Sequence, residues 1–298
     1  MKVRPFVFAL LATVLVSSTA AGKLNVVTTI QTLRSLAEEV GGDHITTTAL
    51  VSESVDPHFV DPRPSYAVVL NRADLLIYVG LDLEKGWLPP LIGQSRNPRI
   101  QAGLPGNLDA STSGIFLLDL ASNVSRAQGD IHPAGNPHYW LPPANAAKIA
   151  RAIAARLGAL DPKNAVYYQT RVAAFETKLK TQQAAWDKAA QKLRGVKVIT
   201  YHNSWHYLTS WLKITEIGHI EPKPGVPPSA ANLASLVQQA RAQEGRLVLV
   251  ESYYSRNTAQ RVADVAGMKL LVLPSDTAPG QTYFQLVDSL LAQLGGAI

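Results

Sequence analysis

Residues 161–194 read DPKNAVYYQTRVAAFETKLKTQQAAWDKAAQKLR. Asp161 is an N-cap residue type, and Pro162 suits the first helical position, where a missing N–H costs nothing. Gly195 follows, the residue that most readily takes the left-handed conformation after a helix end. Between Pro162 and Gly195 there is no Gly and no Pro, and Val166, Ala173, Leu179, Ala184 and Trp186 are scattered among polar residues. The stretch predicts a helix roughly 50 Å long at about 1.5 Å per residue, with much of its surface in water. A helix of that length in mid-chain reads as a spine joining two lobes; the alternative is two helices that break near Thr181.

Both sides of this stretch carry strand and helix in alternation. Before it, Lys23–Ile30 is β-branched, Thr32–Val40 is helical in pattern and stops at Gly41-Gly42, and His44–Val51 reads as a second strand. Asp74–Val79 is a continuous apolar run of the kind found in strands covered on both faces. Ile115–Leu118 reads as a short strand among Gly, Ser, Asn and Pro. After the spine, Val196–Thr200, Arg246–Glu251 and Lys269–Leu273 read as strands, with helices at Ser229–Gln243, Asn257–Ala266 and Thr282–Leu294. The order predicts an α/β fold made of two small parallel-sheet lobes. The expected division is a signal peptide at 1–22, an N-terminal lobe at 23–160, the spine at 161–194 and a C-terminal lobe at 195–298.

Composition narrows the function classes. Of 298 residues, 47% are hydrophobic and 17% charged, which excludes a disordered chain. Lys2 and Arg4 precede an apolar run from Phe6 to Val16, and Ser17–Gly22 supplies small residues for cleavage. This pattern is that of an export signal, with cleavage expected near residues 20–22. The chain has no cysteine. That excludes disulfides, thiolate metal ligands, a cysteine nucleophile and a lipid-anchored mature N-terminus. An unanchored exported protein is expected in a periplasm. Loss of Lys2 and Arg4 takes the formal charge from +6 to +4, and no basic run appears, so nucleic acid is not an expected partner.

Two loops share a phrase. Asp56-Pro57-His58-Phe59-Val60-Asp61-Pro62 precedes one helical pattern, and Asn136-Pro137-His138-Tyr139-Trp140-Leu141-Pro142 precedes another. Proline-stiffened loops hold a metal ligand well. For either loop alone, a histidine packed on its aromatic neighbour and hydrogen-bonded locally is the preferred reading; the repetition brings the metal reading level with it. His202 follows a strand directly, and His206 lies four residues on, a spacing that suits one helix face. Asn203 stands where a zinc peptidase of the His-Glu-x-x-His type has its base. Glu251 and Asp276 fall at strand ends, where turn or capping roles compete with a site role. His58, His138, His202 and such a carboxylate lie 60 to 80 residues apart, so position at loop and strand ends, rather than spacing, is what unites them. Three imidazoles and a carboxylate suit Zn²⁺, whereas Mn²⁺ prefers more oxygen.

Asp56-Pro57-His58, Asn136-Pro137-His138-Tyr139-Trp140, the spine, Tyr201-His202 and Pro274-Ser275-Asp276 together make the chain resemble the zinc- and manganese-type periplasmic substrate-binding proteins of bacterial metal ABC transporters. The resemblance covers essentially the whole mature chain. It implies two α/β lobes joined by one long helix, a single metal in the cleft between them, and His58, His138, His202 and Asp276 as its ligands. Histidine at 202, where manganese-type members usually place a carboxylate, implies zinc, with manganese the alternative. The ion is then a transported substrate, the partner is an inner-membrane permease with its ATPase, and the protein is a monomeric receptor and not an enzyme. Many zinc-type members carry a His-rich loop between the first two ligands; here Asp82–Asp130 has no histidine, which leaves room for a metal-delivering periplasmic partner. A zinc-dependent hydrolase using Glu251 or His206 as base is the runner-up, and a metal-dependent adhesin the third reading. Whether Glu251, His132 or His206 joins the site stays open at this point.

Overall fold

A computed structural model describes residues 22–120, 132–223 and 225–298. The export signal expected at 1–22 lies outside them, apart from Gly22. The N-terminal sheet contains β1 (Leu24–Thr28), β2 (Ile45–Ala49), β3 (Leu75–Tyr78) and β4 (Asn107–Asp109). The C-terminal sheet contains β5 (Lys197–Thr200), β6 (Thr215–His219), β7 (Leu247–Val250) and β8 (Lys269–Val272). The strand orders are β2-β1-β3-β4 and β6-β5-β7-β8, with every pairing parallel. The two lobes thus repeat one topology. The apolar runs become the central strands for the expected reason: Leu75, Leu76 and Ile77 in β3 and all four residues of β7 are buried, as strands covered on both faces require.

The helices follow from equally local causes. Leu33, Leu36, Ala37 and Val40 form the buried stripe of α1 (Gln31–Gly41), the i, i+3, i+4, i+7 pattern of an amphipathic helix. The remaining helices are α2 (Pro64–Asn71), α3 (Leu88–Ser95), α4 (Pro143–Leu160), α5 (Ala165–Ala190), α6 (His206–Leu212), α7 (Ala230–Ala242), α8 (Arg256–Ala266) and α9 (Tyr283–Ala297). The spine is α5, one unbroken helix of 26 residues, about 39 Å long. No break occurs at Thr181. The hydroxyls of Thr170, Thr177 and Thr181 each donate to the carbonyl four residues back, which satisfies these side chains without breaking the helix. Tyr168, Val172, Phe175, Leu179, Trp186 and Ala190 form its one buried stripe.

Three local expectations are corrected and one strand is added. Asp161 does not cap the spine: a 3-10 turn at Pro162–Asn164 intervenes, and the Asp161 carboxylate accepts instead from Asn164 Nδ2 and Tyr168 Oη. Ile115–Leu118 is not a strand. Its backbone is satisfied by side chains, with Phe116 N–H donating to Asn145 Oδ1 and Leu118 N–H to Tyr207 Oη, and the fourth strand is Asn107–Asp109. Strand β6 went unread in the sequence because it is a sheet edge, half-buried along most of its length, with Gly218 next to its last residue. His202 precedes α6, which begins at His206, so these two histidines share no helix face.

Packing ties the lobes together. α9 comes back from the C-terminal sheet to lie on α5 and α1. There Phe284 stacks on Trp186 with ring centroids 6.0 Å apart, and Trp186 Nε1 donates to Asp288 Oδ1 at 2.7 Å. One apolar core runs from Val26 and Leu36 through Phe175, Trp186 and Tyr283 to Val198 and Leu249.

Candidate metal centre

The carboxyl ends of both sheets supply the site. His58 sits in the loop after β2, His138 in the long connection from β4 to α4, and His202 two residues beyond β5. Their exposures are 7%, 2% and 5%, so three imidazoles are buried together. Ring centroids lie 5.0 Å apart for His58–His138, 5.2 Å for His58–His202 and 5.4 Å for His138–His202. One potential ligand nitrogen from each lies within 4.8 Å of the other two, a span that one small cation can bridge.

The orientation of each ring is fixed from behind. Asp56 Oδ1 accepts from both the backbone N–H of His58 (3.0 Å) and its Nδ1 (2.7 Å). Asn136 Oδ1 does the same for His138, at 2.9 Å in both cases. Glu221 Oε2 lies 2.8 Å from His202 Nδ1. A carboxylate only accepts. Asn136 Oδ1 must also accept, because it faces a backbone N–H. All three rings therefore carry hydrogen on Nδ1, which leaves Nε2 as the nitrogen each would offer a metal. Among the described residues the buried Nε2 atoms of His58 and His138 have no hydrogen-bond partner. Burial at such a position normally demands a partner, and a metal ion would serve both nitrogens at once.

The electrostatics favour a cation. Burial and the neighbouring His58 and His202 imidazoles hold His138 well below its usual pKa, so it stays neutral and available to a metal into mildly acid conditions. Burial alone would raise Asp56, yet its hydrogen bonds from His58 and the charge of that ring keep it below the usual carboxylate range. Asp56 and Glu221 thus place carboxyl groups directly behind two of the three rings.

The other sequence candidates take different places. Asp276 is buried and stands outside the group of three. Its carboxylate accepts from Gln31 N at 2.9 Å, Thr32 N at 2.6 Å and Thr277 N at 2.9 Å, and from Thr32 Oγ1. It thereby caps α1, whose own N-cap residue, Ile30, has no side-chain acceptor to offer. Burial pushes Asp276 up to about 6 against these hydrogen bonds. Glu251 is 1% exposed; burial pushes it up to about 8 against the Ser204 and Trp205 side chains beside it, which favours its neutral form. His132 lies beside His58, ring centroids 5.4 Å apart, with Nδ1 2.7 Å from the Leu81 carbonyl. His206 turns away to Asp119 Oδ2 at 2.8 Å. Sequence reasoning passed over Asn136, Glu221 and Asp119 as functional residues. The signal for Asn136 was the repeated phrase itself, in which Asx always stands two residues before the histidine.

Comparison with known proteins gives a consistent picture. The model of a family described as zinc-uptake complex component A, periplasmic, matches residues 26–297. Zinc-binding lipoprotein AdcA of Streptococcus pneumoniae is 24% identical over 286 residues, which is 92% of this chain and 56% of AdcA; the chain thus spans about half of that relative's length. High-affinity zinc uptake system protein ZnuA of Bacillus subtilis is 27% identical over 255 residues, 84% of this chain and 78% of the relative. A crystal structure of ZnuA superposes with a TM-score of 0.78 at 26% identity, covering 92% of this chain and 99% of that one.

Proposed function

The chain belongs to the family of periplasmic zinc-uptake component A proteins, and from this premise we propose that it is a zinc receptor that hands the ion to an ABC-type permease and its ATPase. The observation that carries the reading is the convergence of three buried imidazoles whose Nδ1 atoms are all engaged from behind. His58, His138 and His202 are the core ligands. Asp276 is the fourth: its Oδ2 accepts only from Gln31 N, which leaves that oxygen a lone pair for the ion. Three nitrogens and one oxygen suit tetrahedral zinc better than manganese. A four-ligand site has no open position for a reacting water, so it binds and does not catalyse. Export, with processing near residues 20–22, places the receptor in the periplasm as a monomer, and a metal-delivering partner takes the place of a His-rich loop.

The test is a chelator-competition titration of the mature chain, prepared without a His-tag. One equivalent of tightly held zinc is expected, with His138→Ala weakening it strongly and Asp276→Ala less. Stimulation of the reconstituted permease's ATPase by the zinc-loaded chain tests delivery. A wild-type chain that holds no transition metal tightly overturns the receptor reading, and metal-dependent ester or peptide turnover replaces it with the hydrolase.

A further inference from the structure

Asp119 is not part of the imidazole group, yet its carboxylate is a hub. A single oxygen, Oδ2, receives His206 Nδ1 at 2.8 Å, Asn203 Nδ2 at 3.0 Å and Asn136 Nδ2 at 3.1 Å. Its backbone is held at φ +57°, in the left-handed region that a non-glycine residue occupies at a cost. His206 and Asn203 come from the β5–α6 segment that carries His202; Asp119 and Asn136 come from the connection that carries His138. The same two segments are joined again by Tyr207, whose hydroxyl donates to Asn136 O at 2.8 Å and accepts from Leu118 N at 2.9 Å.

Asn136 sits between this hub and the site. Its Oδ1 accepts from the backbone N–H and the Nδ1–H of His138, and its amide hydrogens go to Asp119 Oδ2 and to Asn203 O at 2.8 Å. Every hydrogen-bonding position of that side chain is thereby assigned, and only one amide orientation fits. The arrangement explains why the repeated phrase reads Asp-Pro-His in one loop and Asn-Pro-His in the other. At 56 the side chain needs only to accept. At 136 its far end must donate to a carboxylate and a carbonyl, which an aspartate cannot do.

We propose that Asp119 is a positioning residue for the centre: it ties α6 of the C-terminal lobe to the loop that orients His138, and so sets how fast the lobes part and the ion leaves. The inference rests on the reading of the imidazole group as the zinc site. The experiment measures zinc dissociation into excess chromophoric chelator, at fixed pH and salt, for the wild type, Asp119→Ala, Asp119→Asn, Asn136→Asp and the double variant Asn136→Asp/Asp119→Asn. Asp119→Ala is expected to release zinc about tenfold faster or more, the scale on which partners behind metal ligands act. Asp119→Asn, whose amide oxygen still accepts, stays nearer the wild type. Asn136→Asp also speeds release, although the same phrase works at 56, and adding Asp119→Asn recovers part of the loss by restoring an amide against a carboxylate. That recovery is not expected of general damage, and it keeps the test open if Asp119→Ala fails to fold. A wild type that binds zinc tightly while Asp119→Ala and Asn136→Asp release it at the wild-type rate, or a double variant no slower than Asn136→Asp, overturns the role of Asp119 alone. A wild type without tight zinc overturns the site reading first.

Discussion

His138 shows how much a single residue owes to the one two places before it. Its ring is useful to a metal only because Asn136 holds the proton on Nδ1, and the same device serves His58 through Asp56. Asp56→Asn keeps an accepting oxygen but removes the charge behind His58; zinc affinity is expected to fall about tenfold, and an unchanged dissociation constant in competition titration contradicts that role. The three histidines that converge were legible because the sequence repeats a proline-stiffened phrase and puts His202 at a strand end. Glu221 was not, because it stands 19 residues from His202. Only the parallel pairing of Thr200 with His219 sets residue 221 beside residue 202, and register across an edge strand is not written in local pattern. That same His219 yields a pH prediction. Burial first, then the charges of His202 and His206, lower it to about 4, so the unfolded chain takes up the proton first as pH falls from about 6.5. Its contribution is complete above pH 6.5 and is lost as pH drops through 4, up to about 3 kcal/mol. In the metal-free protein, His219→Gln is expected to flatten the fall of melting temperature with acid over that window; a slope parallel to the wild type rules this out.

At the scale of elements, α1 is the instructive case. The sequence showed its apolar stripe and its Gly-Gly end, but not its cap, because the cap comes from Asp276, 244 residues from the Thr32 N–H that it accepts. A negative group at a helix N-terminus satisfies free N–H groups and meets the favourable end of the helix dipole. Asp276→Ala in the metal-free protein is expected to cost about 1–2 kcal/mol in urea unfolding; no loss of stability contradicts the capping role and leaves Asp276 to the metal alone. The spine was legible from the lack of helix breakers, while its first turn was not, since nothing in Asp161-Pro162 says that a 3-10 turn comes first. Ile115–Leu118 misled because an extended, apolar segment has the composition of a strand whether its N–H groups meet a neighbouring strand or, as here, the side chains of Asn145 and Tyr207.

Across the whole molecule, two sheets of one topology meet at their carboxyl ends, where parallel sheets bind ligands, and the imidazole group draws on both. Contacts between the lobes oppose their separation. α9 lies on the spine, Trp140 Nε1 donates to Ser275 O at 2.8 Å, and Tyr283 Oη donates to Leu141 O at 2.6 Å. Because one apolar core passes through both lobes, urea is expected to unfold the metal-free chain in a single transition, coincident by fluorescence and circular dichroism; two separated transitions contradict a shared core. Trp186→Ala, at the crossing of α5 and α9, is expected to cost about 3–5 kcal/mol in the same assay. The receptor account stands or falls on what surrounds the ion. X-ray absorption at the zinc edge of the mature chain, loaded with one equivalent, reads that shell directly. The account predicts four light-atom neighbours near 2.0 Å, with the multiple-scattering pattern of three imidazoles. An oxygen-only shell, or imidazole scattering that persists at full strength in His138→Ala, contradicts it.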